Sequence, residues 1–117
     1  MALYERALIG DVDGFIQHMD GTITTGSVTA NLESSADQRL GDARMVVRVY
    51  ERYSAFGGNR VSLSVCVLAV GKELAVTAIT SGGSTAMFWK VNTLGEESFL
   101  RKAVDAMEVW DVASRRP

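Results

Sequence analysis

Residues 60–80, RVSLSVCVLAVGKELAVTAIT, decide how the rest of the chain is read. Val61, Leu63, Val65, Val67 and Ala69 alternate with Ser62, Ser64, Cys66, Leu68 and Val70, the period of two that belongs to an extended strand. Gly71-Lys72 reads as a tight turn, and Glu73–Thr80 resumes the alternation. A connection this short leaves no room for a crossover, so the two strands must be antiparallel. The chain is therefore organised around an antiparallel sheet.

Upstream, Asp42–Tyr53 is rich in β-branched and aromatic residues and reads as a strand. Gly57-Gly58-Asn59, inside the loop Ser54–Asn59, supplies residues suited to a hairpin turn. Ser27–Ser34 alternates through Val28, Ala30 and Leu32, and Ser35–Gly41 reads as a polar loop. Leu3–Ile9 is a further alternating stretch. Between them, Val12, Phe15, Ile16, Met19 and Ile23 form a one-sided helical stripe, with Asp11 placed to cap it. The spacing predicts a helix over Val12–Thr24.

Downstream, Ser81-Gly82-Gly83-Ser84 reads as a turn or bulge and Met87–Val91 as a short extra strand. Thr93 and Glu96 have capping-box spacing. A last helix then places Phe99, Leu100, Ala103, Val104, Met107 and Trp110 on one face. The expected order is β-α-β(4-5)-α, an α+β fold in a single domain over residues 1–117, with an antiparallel β-sheet carrying both helices on one face. By element order it is TBP-like or helix-grip-like, an architecture with a groove between sheet and helix.

Composition narrows the function classes. Of 117 residues, 47% are apolar and 22% charged, the profile of an ordinary globular protein. Fourteen acids against 12 bases leave a net charge of −2. That lacks the basic excess expected of a nucleic-acid or anionic-membrane binder. The lone Cys66 rules out an intrachain disulfide, and the N-terminus lacks the apolar core of an export signal. A cytoplasmic location is the expectation.

The segments YERYSAFGGNRVSLSV (Tyr50–Val65) and TAITSGGSTAMFWKVNTLGEESFL (Thr77–Leu100) resemble DUF6054, a family of small bacterial proteins of unknown function. The resemblance extends from the first strand to the last helix. It implies a stand-alone cytoplasmic domain and brings with it no catalytic residue, substrate or cofactor.

Gly82-Gly83, between Ser81 and Ser84, invites a phosphate-loop reading, because backbone N–H groups in a glycine turn can cradle an anion. A phosphate loop, however, ends in Lys-Ser/Thr at a helix start, and Ala86-Met87-Phe88-Trp89 follows here. A structural turn is the better reading. His18, the only histidine, falls on the expected polar face of the first helix, directed to solvent. Cys66 reads as a packed thiol of a central strand. One His and one Cys cannot furnish a zinc site without carboxylates, so no metal or other cofactor is expected, and no acid–base pair stands out.

Two surfaces remain. Phe88 and Trp89, adjacent in an expected strand, point to opposite faces, so one of them meets the helices. With Ser81, Gly82, Gly83 and Ser84 they are the candidates for lining a sheet–helix groove that binds a small apolar or amphipathic molecule. Arg44, Arg48, Tyr50 and Arg52, with Ser62, Ser64 and Thr77, are assigned to the sheet face opposite Met45, Val47, Val49, Leu63 and Val65. That polar file can be solvent-facing, a homodimer or higher oligomer interface, or a surface for an anionic ligand. The leading expectation is thus a non-enzymatic ligand-binding domain. The alternative is a self-associating structural or regulatory module using the Arg/Tyr face.

Overall fold

The fold is taken from a computed structural model, which describes residues 1–25, 29–53, 60–82 and 89–115, with side chains from residue 97 onward in the last of these. The hairpin at its centre pairs β4 (Arg60–Val70) with β5 (Glu73–Gly82) in antiparallel register, Val70 opposite Glu73 and Val61 opposite Gly82. Gly71 takes a φ of 59° at the turn, a conformation that side-chain-bearing residues resist and that places glycine first in a two-residue hairpin loop.

Around that hairpin, β1 (Ala2–Ile9) lies along β5, and β3 (Ala43–Tyr53) lies along β4. The last strand, β2 (Asn31–Leu40), pairs with β3. The sheet order is β1-β5-β4-β3-β2, every neighbouring pair antiparallel. Helices α1 (Val12–Thr25) and α2 (Trp89–Ser114) complete the order β-α-β-β-β-β-α. Asp11 caps α1 by accepting a hydrogen bond from the Gly14 N–H at 2.9 Å.

One layer of side chains joins sheet and helices. Phe15, Met19 and Ile23 of α1 meet Phe99, Ala103 and Met107 of α2 over Tyr50, Leu63, Val65 and Val67, and all ten are wholly excluded from solvent. The α2 seam extends the expected one by Ala106, which is buried, while Leu100 and Trp110 are only partly so. Trp110 donates its indole N–H to the Ile9 carbonyl at 2.9 Å. Arg6 of β1 reaches Glu108 and Asp111 at 2.6 and 2.5 Å, fastening the end of α2 to the sheet edge.

Several expectations change here. The polar stretch Ser35–Leu40 is strand, and Gly41-Asp42, with Gly41 at φ 58°, makes the hairpin to β3. Its polarity follows from position, since β2 is an edge strand exposed at every residue, and edges carrying charge resist unwanted pairing. Residues 89–91, expected as strand, begin α2, so Thr93 and Glu96 lie inside the helix rather than at its cap. A short apolar run cannot be assigned to strand or helix by its period. The expected turn Gly57-Gly58-Asn59 lies outside the described residues. Among the described residues, no helix is long and apolar enough to cross a membrane.

Candidate functional site: the uncovered face of the sheet

Strand register sorts the candidate residues. In an antiparallel pair, residues directly opposite share a face. Tyr50 is opposite Leu63, Arg48 opposite Val65 and Arg52 opposite Val61, so the arginine file shares the helix-covered face with the core of β4. Met45, Val47 and Val49 are opposite Leu68, Cys66 and Ser64, on the other face. The expected polar face is therefore two half-faces wrongly joined. Ser62, Ser64 and Thr77 lie on the open side, whereas Arg44, Arg48, Tyr50 and Arg52 turn towards the helices.

On the helix side these residues serve the fold. Tyr50, wholly buried, donates its hydroxyl hydrogen bond to Asp20 at 2.5 Å. Burial first, and then that acceptor, push the Tyr50 phenol above its ordinary range. Arg48 Nε stands 3.4 Å from the same carboxylate, an ion-pair distance. Arg44 holds Asp37 with Nε and Nη2 at 3.0 and 2.6 Å and reaches Asp13 at 2.9 Å. Hydrogen bonding to that guanidinium draws the carboxyls of Asp37 and Asp13 below the usual carboxylate range. Arg52 lies over the Phe99 ring at 4.5 Å and donates to Ser98 Oγ at 2.9 Å, and desolvation lowers its pKa. Three of the four candidates thus share aspartates and the fourth stacks on the core. The cations already have partners within the chain, which leaves this file little to offer a free anion.

The groove candidates divide differently. Ser81 sits on the open face, its Oγ 2.9 Å from Ser62 Oγ, and Gly82 ends β5 opposite Val61. Gly83, Ser84 and Phe88 lie outside the described residues, and Trp89 is described only as the first residue of α2. His18, expected in solvent, is half-buried with Nε2 2.8 Å from the Ala106 carbonyl and its ring 5.5 Å from Trp110. A carbonyl only accepts, so Nε2 carries the proton and ties α1 to α2. Cys66, expected in the core, is half-buried at the middle of the open face, between Val47 and Thr77.

What sequence reasoning missed is that open face itself. Rows across the sheet read Ile9, Glu73, Val70, Ala43, Leu40; then Ala7, Ala75, Leu68, Met45, Gln38; then Glu5, Thr77, Cys66, Val47, Ala36; then Leu3, Ile79, Ser64, Val49, Ser34. Leu68 is 50% and Val70 47% exposed in the central strand, and Leu3 and Ile9 of β1 are more exposed still. The acids on this face, Glu5, Glu51 and Glu73, stand towards its margins, and Arg60 at one end is paired with Glu51 at 2.6 Å and Glu33 at 2.8 Å. An apolar middle within a charged rim is the anatomy of a protein–protein interface. The signal was present in Val65–Val70, VCVLAV, a run apolar on both faces, as befits a strand meant to be covered on both.

Among the described residues, fold and surface together define a two-layer α+β protein, five antiparallel strands carrying two helices on one face and an apolar second face left open. The chain belongs to DUF6054, a family of unknown function, whose family model matches residues 1–111. No curated protein and no solved structure matches it.

Proposed function

We propose that this chain is a self-associating structural or regulatory module whose working surface is the open face of the sheet, and whose occupant is a second copy. The observation that supports this most is the exposure of Leu68 and Val70 in the central strand, where a two-layer protein that works alone would carry polar side chains. Five strands about 4.8 Å apart and about 30 Å long present on the order of 700 Å². That approaches the roughly 800 Å² each partner contributes to a standard interface. The face is broad, and its hollows, about 320 Å³ beside Met45 and Leu68 and about 370 Å³ beside Ala7 and Ala75, open to solvent, which suits another sheet better than a small ligand, whose sites bury most of it. Its rim acids, in a chain of net charge −2, oppose docking on an anionic membrane.

A small ligand between sheet and helices has less support. The middle of that layer is occupied by Phe15, Met19, Tyr50, Phe99 and Met107, and the hollow at its edge, about 290 Å³ between Tyr4 of β1 and Leu100 and Val104 of α2, holds none of the expected groove residues.

Sedimentation velocity tests the proposal. The wild-type chain at about 50 µM is expected as a dimer, a range in which interfaces of this size hold. Leu68→Glu, a change at an exposed position, is expected to sediment as a folded monomer with an unaltered far-ultraviolet circular dichroism spectrum. A wild-type monomer at that concentration would reject self-association.

A further inference from the structure

Resting on the self-association just proposed, we infer how the two copies meet: the two-fold axis runs along β4, laying β3 of one copy over β5 of the other. Two arrangements bring the apolar middles of the sheets together, since a two-fold axis between facing sheets can run along the strands or across them. Aligned sheets pack within about 30° of parallel, so either can be followed row by row near the centre.

An axis across the strands, over the row containing Cys66, turns each strand end for end upon its own copy. Glu5 then faces the partner copy's Glu5 within the same row. Like charges set opposite one another across an interface oppose that pairing. An axis along β4 keeps every row in place and reverses its order. Glu5 then faces Ala36, Glu73 faces Ala43, and no acid lies opposite an acid. Arg60 approaches its own counterpart at the rim, but each is already paired within its own copy by Glu33 and Glu51.

Side-chain size is compatible with the same axis. The row Ala7, Ala75, Leu68, Met45, Gln38 is short at one end and long at the other. Hollows lie at both ends, about 370 Å³ beside Ala7, Ala75, Glu5 and Thr77 and about 320 Å³ beside Gln38, Leu40, Met45 and Leu68. Reversal over β4 sets Met45 and Gln38 above the partner copy's Ala75 and Ala7, long over short, while Leu68 meets Leu68 and Cys66 meets Cys66 on the axis. Interdigitation of this kind is what gives interface cores the packing density of protein interiors. The axis across the strands also sets long over short, Ile79 over Ala75 and Leu3 over Ala7, so the charges and not the sizes choose between the two.

The test is a size exchange read by the dimer dissociation constant. Ala75→Met crowds the hollow and is expected to weaken dimerisation about tenfold or more. Adding Met45→Ala in the same chain is expected to restore it to within about threefold, because the bulk has moved to the other side of the contact. Within one copy Met45 and Ala75 are separated by Leu68, roughly 10 Å apart, so the rescue reports the partner. The other axis places Ala75 against Ile79 instead, and Ile79→Ala would then be the rescuing change. Rescue by Ile79→Ala rather than Met45→Ala, or a dimer indifferent to Ala75→Met, would overturn the axis while leaving self-association standing. A monomeric wild-type chain would overturn the reading beneath it.

Discussion

At Gly10 a single missing side chain sets how α2 meets the sheet. The residue follows β1 with a φ of +151°, and a Cβ built there would come within 2.6 Å of Trp110 Cζ2 and 2.9 Å of its Nε1. The indole cannot retreat freely, because its N–H donates to Ile9 and Phe15 abuts it edge-on at 5.4 Å. Gly10→Ala is therefore expected to cost about 2–3 kcal/mol, from strained backbone and overpacking together. Chemical denaturation of the variant measures this. In a double-mutant cycle with Trp110→Leu the two losses should sum to more than the loss of the double variant, since removing the ring removes the clash. Additive losses would mean that the indole is not what the alanine meets.

Among the elements, α1 is held to the far side of the sheet by charge as well as by Phe15, Met19 and Ile23. Arg44 on β3 spans Asp37 on β2 and Asp13 on α1. Both carboxyls are held below the ordinary value of 3.8 in the folded chain. The unfolded chain thus takes up these protons at a higher pH than the folded one does. The stabilisation is present above about pH 4 and is lost as the pH falls through the lower folded values. Arg44→Met should leave a shallower loss of stability between about pH 4 and pH 2, measured as urea midpoints against pH. A wild-type slope in the variant would show that other carboxyls drive the acid transition. Both aspartates are open to solvent, so their pH slope is the readout and their net energy is small.

The same elements show what a sequence can carry. The hairpin 60–80 was legible because its alternation and its glycine turn agree. The stripe of α1, its Asp11 cap and the seam of α2 were legible for the same reason, local pattern and local chemistry pointing one way. The face of the arginine file was not. Alternation sorts Arg44, Arg48, Tyr50 and Arg52 together within β3, but only the pairing register decides which residues of β4 join them. A one-residue change of register exchanges the faces. In the folded chain even-numbered residues of β3 pair with odd-numbered residues of β4, a parity that the alternation within either strand taken alone does not contain. Once the register is known, Met45, Val47 and Val49 move from the expected core to the open face, and the candidate site moves with them.

For the whole molecule, the proposed self-association would couple stability to concentration. A monomer unfolds at one temperature whatever its concentration. A chain that folds as a dimer gains stability by mass action, about 1.4 kcal/mol for each tenfold rise in concentration. For a unit of this size that corresponds to a rise of about 3–5 °C in Tm per decade. Differential scanning calorimetry between about 5 and 500 µM would resolve the rise. Leu68→Glu should abolish it and lower Tm towards a single concentration-independent value, because the substituted side chain is half exposed in the isolated copy and would be buried only in the proposed dimer. The core beneath, on the other face of β4 at Val65, Val67 and Ala69, is untouched by that change. If Leu68→Glu instead lowered Tm while leaving the concentration dependence intact, the damage would lie within one copy, and the association would have to use another surface.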